Sequence, residues 1–403
     1  MDISHRKVDK TLVLKDAQGN PIANKEVHIE QTNHHFLFGC GAFDFMQYMS
    51  GHEEYKELTE GWLDVFNYGT LPFYWGLYEP EEGRPNKDLL MKTAEYLKSK
   101  NVKVKGHPLC WHTVCADWLM KYDNDTILRK QLERIEREVV GFAGVIDMWD
   151  VINEVVIMPL FDKYDNAITR ICKEKGRVAL IKEVFEKAHE CNPNATLLLN
   201  DFNTSINYEI LIDGCLNAGV PISAIGIQSH QHQGYWGKEK LEEVLDRFSS
   251  FGLPIHFTEN TLISGELMPP HIVDLNDWQV DEWPSTPEGE ARQAKEIEEM
   301  YRTLFEHPLV EAITTWDYKD GAWLNAPSGF LRKDNSKKPS YEMLKKLVKE
   351  EWWTNTTVTT DANGRATFQG FKGDYLVTTK KLSANVRLAD DQEMVITLHG
   401  QQY

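Results

Sequence analysis

Two apolar runs in this chain close on a glutamate beside an amide side chain. VIDMWDVINE (145–154) ends in Asn153-Glu154, and LPIHFTEN (253–260) ends in Glu259-Asn260. Hydrolysis of a glycosidic bond with retention needs two carboxyl groups about 5–5.5 Å apart, one attacking the anomeric carbon while the other protonates the leaving oxygen. Glu154 and Glu259 are the pair the sequence offers for that chemistry. Asp150, Asp201, Asp317 and Asp320 are further acids near strand ends, and residue type alone leaves them open. His107, Trp111, Asn153, Gln228, His230 and Trp316 gather at the same kind of position. A sugar ring shows C–H faces that stack on indole and hydroxyls that pair with amides, imidazoles and carboxylates, so this mixture suits a saccharide cleft. Taken singly, each Trp or His reads equally well as packing. Two strand-end carboxylates fit that bland reading poorly, because an unpaired buried charge is costly.

The elements that must position these groups alternate between short apolar runs and longer amphipathic stretches. Eight runs stand near 35–43, 65–75, 103–111, 145–154, 195–202, 223–230, 253–260 and 311–318, each followed by a helical segment such as TILRKQLERIEREVVGFA. Repeated βα units predict a parallel sheet, and eight of them predict a closed (β/α)8 TIM barrel of the α/β class. In such a barrel the C-terminal strand ends form one face, where barrel enzymes place their chemistry. The predicted catalytic domain covers 35–350. Residues 1–34 carry two strands around DAQGNP, and 351–403 carry several more with DANGR and FKGDY as turns. A unit of either size is marginal alone, so the N- and C-terminal extensions are expected to combine into one small accessory β unit with a structural or docking role.

Composition bounds the partners. The 403 residues carry a formal charge of −18, which disfavours nucleic acid. No apolar run reaches the ~18 residues of a membrane span. Six cysteines without CxxC pairing read as buried free thiols, with no metal site. The opening MDISHRKVDK lacks the apolar stretch of a signal peptide. An export signal removed ahead of it would place the protein in a secreted or periplasmic setting; compartment and oligomeric state stay open.

Read in order, KGHPLCWHT, WDVINE, GIQSH, HFTEN and TTWDYKDGAWL resemble the signature segments of glycoside hydrolase family 10, the endo-β-1,4-xylanase family, over roughly 35–350. The resemblance implies a retaining xylanase that needs neither metal nor organic cofactor and takes a polysaccharide or oligosaccharide substrate. It implies Glu154 as acid/base and Glu259 as nucleophile, with Asn153 on the sugar 2-hydroxyl beside the cleaved bond. His107 and Trp111 would line the subsite before that bond, and Gln228 with His230 would match the family's Gln-x-His, His230 orienting the nucleophile. Trp316 and Trp323 resemble its pair of aromatic walls. Departures are equally specific. Where the family has Glu-Asn-x-x-Lys-Trp in its second strand, this chain reads TLPFYW, so Thr70, Leu71 and Tyr74 stand in place of Glu, Asn and Lys while Trp75 matches. Thr261 replaces an Asp beyond the nucleophile. These changes open two alternatives: the same barrel acting on another β-linked glycan or glycoside, and a carbohydrate-binding protein without catalysis. An insertion after the seventh strand carries Trp278 and Trp283, read with equal weight as cleft edge or loop anchor. An NAD-dependent oxidoreductase is disfavoured because no GxGxxG loop follows a strand.

Overall fold

The computed structural model describes residues 1–400 and divides into two compact units. One runs from Phe38 to Tyr341; the other joins Met1–Leu37 to the described residues from Glu342 onward. Among the described residues there are sixteen strands: β1 Lys7–Lys15, β2 Glu26–His34, β3 Leu37–Gly41, β4 Tyr68–Pro72, β5 Lys103–His107, β6 Met148–Asn153, β7 Thr196–Asp201, β8 Ala224–Gln231, β9 Ile255–Leu262, β10 Val310–Thr315, β11 Asn355–Thr359, β12 Arg365–Phe371, β13 Gly373–Thr378, β14 Leu382–Leu388, β15 Met394–Thr397 and β16 His399–Gly400.

Strands β3 to β10 close into a barrel in chain order, with β10 beside β3. Every residue of β6 and β9 is buried, as expected where side chains face either the barrel interior or the surrounding helices. The helices begin where their sequences say they should. Asp123 accepts from the Thr126 N–H ahead of the helix Asn124–Gly141, and Thr286 accepts from the Gly289 N–H ahead of Pro287–Glu306, whose first residue is proline. Two irregularities lie next to the expected site. The β8–β9 register slips between Ile227↔Phe257 and Gln228↔Glu259, and the β6–β7 register slips between Asp150↔Leu198 and Ile152↔Leu199. Such bulges re-aim the side chains that follow, here Glu259 and Asn153.

The accessory unit takes strands from both ends of the chain. One sheet has the order β12-β1-β15 and the other β11-β2-β13-β14-β16. The two N-terminal strands around DAQGNP are present, and Asp16 accepts from the Gln18 and Asn20 N–H groups to shape their turn. They do not pair with each other as a hairpin, but enter different sheets. The reason is visible in their burial: both strands alternate, and Leu12 and Leu14 of β1 share one apolar cluster with Val27 and Ile29 of β2, Phe368, Tyr375 and Val377. Each strand therefore finds its backbone partners in the tail.

Candidate active site

The barrel's C-terminal strand ends bring the two glutamates into one hydrogen-bonded system. Glu259, from the bulged end of β9, is fixed on both oxygens. His230 Nε2 lies 3.2 Å from Oε1, and Asn200 Nδ2 donates to Oε2 at 2.9 Å. The same Asn200 amide donates to Asn153 Oδ1 at 3.0 Å, which also accepts from Gln228 Nε2 at 3.1 Å; Asn153 Nδ2 in turn donates to Glu154 Oε2 at 3.2 Å. Asn153 and Asn200 thus connect the two carboxylates. Thr258 sets the Asn200 amide by donating to its Oδ1. Gly226 makes room for it, since a Cβ there would stand 2.5 Å from Asn200 Oδ1. Glu154 itself has φ +58°, a left-handed backbone that costs a non-glycine residue free energy. It is held there by its own N–H on the Asn200 carbonyl and by the Asn153 N–H on the Cys110 carbonyl.

The environments push the two carboxyls apart. Burial raises Glu154 well above the ordinary carboxylate range, and the negative charges of Glu259, Asp201 and Asp274 add to it. The Trp111 indole N–H, buried without a partner of hydrogen-bond geometry, opposes the rise only weakly. Burial would raise Glu259 too, but His107 and His230 outweigh it and hold Glu259 below its usual value. A neutral acid beside an ionised carboxylate is the division of labour that glycoside hydrolysis asks of two like residues.

Support comes from a fully buried triad, of which the sequence offered Asp150 and His107 singly and Lys105 not at all. Asp150 Oδ2 lies 2.9 Å from Lys105 Nζ and 2.6 Å from His107 Nδ1. Burial alone would raise Asp150, yet Lys105 and His107 keep it low, and its pull on Lys105 overcomes the burial that opposes the ammonium. His107 Nε2 then stands 4.0 Å from Glu259 Oε2. The remaining candidate acids settle elsewhere. Asp201 accepts from the Val156 and Asn203 N–H groups, and burial pushes it up to about 6. Asp317 accepts from Ser328 and is pushed by burial up to about 7, and Asp320 pairs with Lys338.

Aromatic walls surround the carboxylates. Trp316 meets His107 edge-on at 5.2 Å and Phe43 at 5.6 Å, while Trp323 lies 4.6 Å from the His230 ring. Tyr74 stands 5.8 Å from Trp111 and 5.7 Å from His107, and burial together with Glu259 and Glu154 keeps its phenol protonated. Thr70 and Leu71, its neighbours on β4, are fully buried. Thr261 lies 3.2 Å from His230 Nδ1, so a neutral hydroxyl backs that imidazole. Trp283 is 4% exposed, donates to the Glu266 carbonyl and stacks edge-on with Trp278 at 4.7 Å, which makes this pair a loop anchor.

Glycosyl hydrolase family 10 matches residues 72–347. The chain belongs to this family. It is 25% identical over 379 residues to an anti-sigma-I factor of Acetivibrio thermocellus, a match covering 93% of this chain and 45% of that protein. It is 26% identical over 261 residues to endo-1,4-beta-xylanase A of Caldicellulosiruptor saccharolyticus, covering 60% and 71%. An endo-1,4-beta-xylanase/feruloyl esterase of Xylanibacter ruminicola matches at 29% over 234 residues, 32% of its length, so this chain spans less than half of two of these relatives. Among solved structures, xylanase 10B from Thermotoga petrophila in complex with xylobiose superposes with a TM-score of 0.62 at 22% identity, over 79% of this chain and 95% of that one. This likeness concerns the barrel fold. Within the family 10 barrel, the polar residues expected on β4 are replaced by two buried side chains and a phenol in the cleft wall.

Proposed function

We propose that the protein is a retaining endo-β-1,4-xylanase whose catalytic barrel covers 35–350, with 1–34 and 351–403 forming the accessory unit. Glu259 attacks the anomeric carbon as a carboxylate while Glu154 gives its proton to the leaving oxygen. Once the glycosyl ester has formed, the charge of Glu259 is gone and Glu154 loses its nearest negative neighbour. Its affinity for a proton falls, and it accepts one from the water that cleaves the ester. Asn153 is assigned to the sugar 2-hydroxyl, His230 and Asn200 to orienting Glu259, and Trp111, Trp316 and Trp323 to the sugar faces. Gln228 and His107 complete the polar lining.

The observation that carries this reading is the opposite displacement of two glutamates joined through two amides. It favours catalysis over a binding protein, which has no use for a proton-holding acid beside an ionised one. Glu154→Ala and Glu259→Ala should each fold and lose turnover, with azide rescuing Glu259→Ala as a product of inverted configuration. Full activity in either variant would sink the assignment. One feature favours a second reading, hydrolysis of another β-linked glycan: the half-buried Tyr74 stands where the family places Lys, removing a cation from the glycone side. Products from glucuronoarabinoxylan, unsubstituted xylan and mixed-linkage glucan separate the two, since a xylanase must release xylo-oligosaccharides.

A further inference from the structure

The loops at the barrel mouth are tied together on one side. After β9 the chain makes a long excursion from 263 to 286 before the helix Pro287–Glu306. Its base is packed: Ile263, Met268, Trp283 and Ala326 form a buried cluster. Its flanks are tethered to both neighbouring loops. Gln233, after β8, donates to the Pro269 and Ile272 carbonyls at 2.9 and 2.8 Å, and Asn325, after β10, donates to the Asp281 carbonyl at 2.7 Å. Ile272, Leu275, Trp278 and Val280 pack against that cluster, while between them the tip turns outward at Val273, which is 99% exposed. There the excursion meets the loop that follows β6: Lys163 Nζ lies 2.5 Å from Asp274 Oδ2 and 2.6 Å from Asp277 Oδ1.

Topology says what this bridge spans. Strands β7 and β8 lie between β6 and β9 in the barrel, so a link from the β6 loop to the β9 loop passes over the quarter of the mouth that they hold. The wall residues Phe43, Tyr74, His107, Trp111 and Trp316 end or follow β3, β4, β5 and β10, in the opposite half. On the proposed mechanism the sugar being attacked lies among those walls, and the leaving group projects from Glu154 into the bridged quarter.

We propose that Lys163 with Asp274 and Asp277 is a strap over the leaving-group side of the cleft, and that it makes attack on internal bonds of a polymer conditional on its opening. This rests on the glycosidase reading above and adds a specificity determinant to it. A short oligosaccharide slides beneath a closed strap. A bond in the middle of a chain has sugars on both sides and must be laid in from above, past the ion pairs. Their side chains are 36–62% exposed, so the link is weak and salt-sensitive, as a gate must be.

The test compares kcat/KM on soluble arabinoxylan with kcat/KM on an aryl β-xylobioside for the whole chain, Lys163→Ala and Lys163→Arg, at low and high salt on the pH plateau. Lys163→Ala should raise the polymer-to-oligomer ratio about two- to five-fold, with hydrolysis of the aryl substrate unchanged. Lys163→Arg should stay near the parent ratio, and salt should raise the ratio in the parent but not in Lys163→Ala. An unchanged ratio in Lys163→Ala, or an equal salt response in both, overturns the strap. If the parent hydrolyses neither substrate, the xylanase reading falls and the strap is read by binding. Glu259→Ala and Glu259→Ala/Lys163→Ala are run in native gels cast with xylan, mixed-linkage glucan or glucomannan. Greater retardation of the double variant supports the strap, and equal mobility in all three overturns it.

Discussion

At the scale of single residues, the proposed function comes down to keeping a proton on one carboxyl and off another. On the proposed mechanism Glu259 must be ionised, so activity should fall on the acid side as it protonates; Glu154 must be protonated, so activity should fall on the alkaline side as it ionises. Each limb has its own control. His230→Asn removes an imidazole that holds Glu259 down. Its pKa then rises, and the acid limb of kcat/KM should move to higher pH. The Asp201 carboxylate is one of the negative charges that raise Glu154. Asp201→Asn should therefore shift the alkaline limb to lower pH and leave the acid limb in place. Uniform loss of rate with both limbs unmoved would show that these residues act only through structure. Much of this site was legible at strand ends: Glu154, Glu259, Asn153, Gln228 and His230 meet in the hydrogen bonds described. Asn200 was not, because an amide inside ATLLLNDF has no mark separating it from a polar strand-end residue. Its role appears only once β7 is seen between β6 and β8.

At the scale of elements, the barrel is read easily because parallel strands buried on both faces give compact apolar runs with helical stretches between. The bulges in β6 and β9 leave no such trace, since one extra residue in a buried strand looks like any other. The Lys105–Asp150–His107 triad was invisible for a related reason: a lysine inside KVKGH looks solvent-facing until the barrel closes around it. Lys105 and Asp150 are both fully buried. Removing one partner leaves the other's charge without compensation, so Lys105→Met should cost about 3–5 kcal/mol in urea unfolding. Replacing both as Lys105→Met/Asp150→Leu should return much of that stability while freeing His107 and lowering activity. A loss under about 1 kcal/mol in the single variant would mean that water or rearrangement screens Asp150, and that the triad is not a closed buried charge pair.

At the scale of the whole molecule, the two chain ends depend on each other. The sequence marks the two N-terminal strands and the tail strands but not their pairing, because alternating β segments of similar composition carry little information about neighbours. In the fold β1 lies between β12 and β15, and β2 between β11 and β13, so every strand paired with the N-terminal strands belongs to the tail. Deleting residues 352–403 leaves β1 and β2 with both edges open and Leu12, Leu14, Val27 and Ile29 uncovered. Exposed edges beside apolar side chains template aggregation. Deleting both ends, to residues 35–350, removes the unpaired strands with their partners and keeps every residue assigned to catalysis. The half-deleted chain should accordingly be less soluble than the doubly trimmed one, although it retains more of the protein, and the trimmed chain should hydrolyse short substrates at a rate near that of the parent. Size-exclusion profiles and turnover of the three forms decide it. If the half-deleted chain is monomeric and the trimmed one aggregates, the N-terminal strands do not need the tail and the two sheets of the accessory unit do not depend on one shared core.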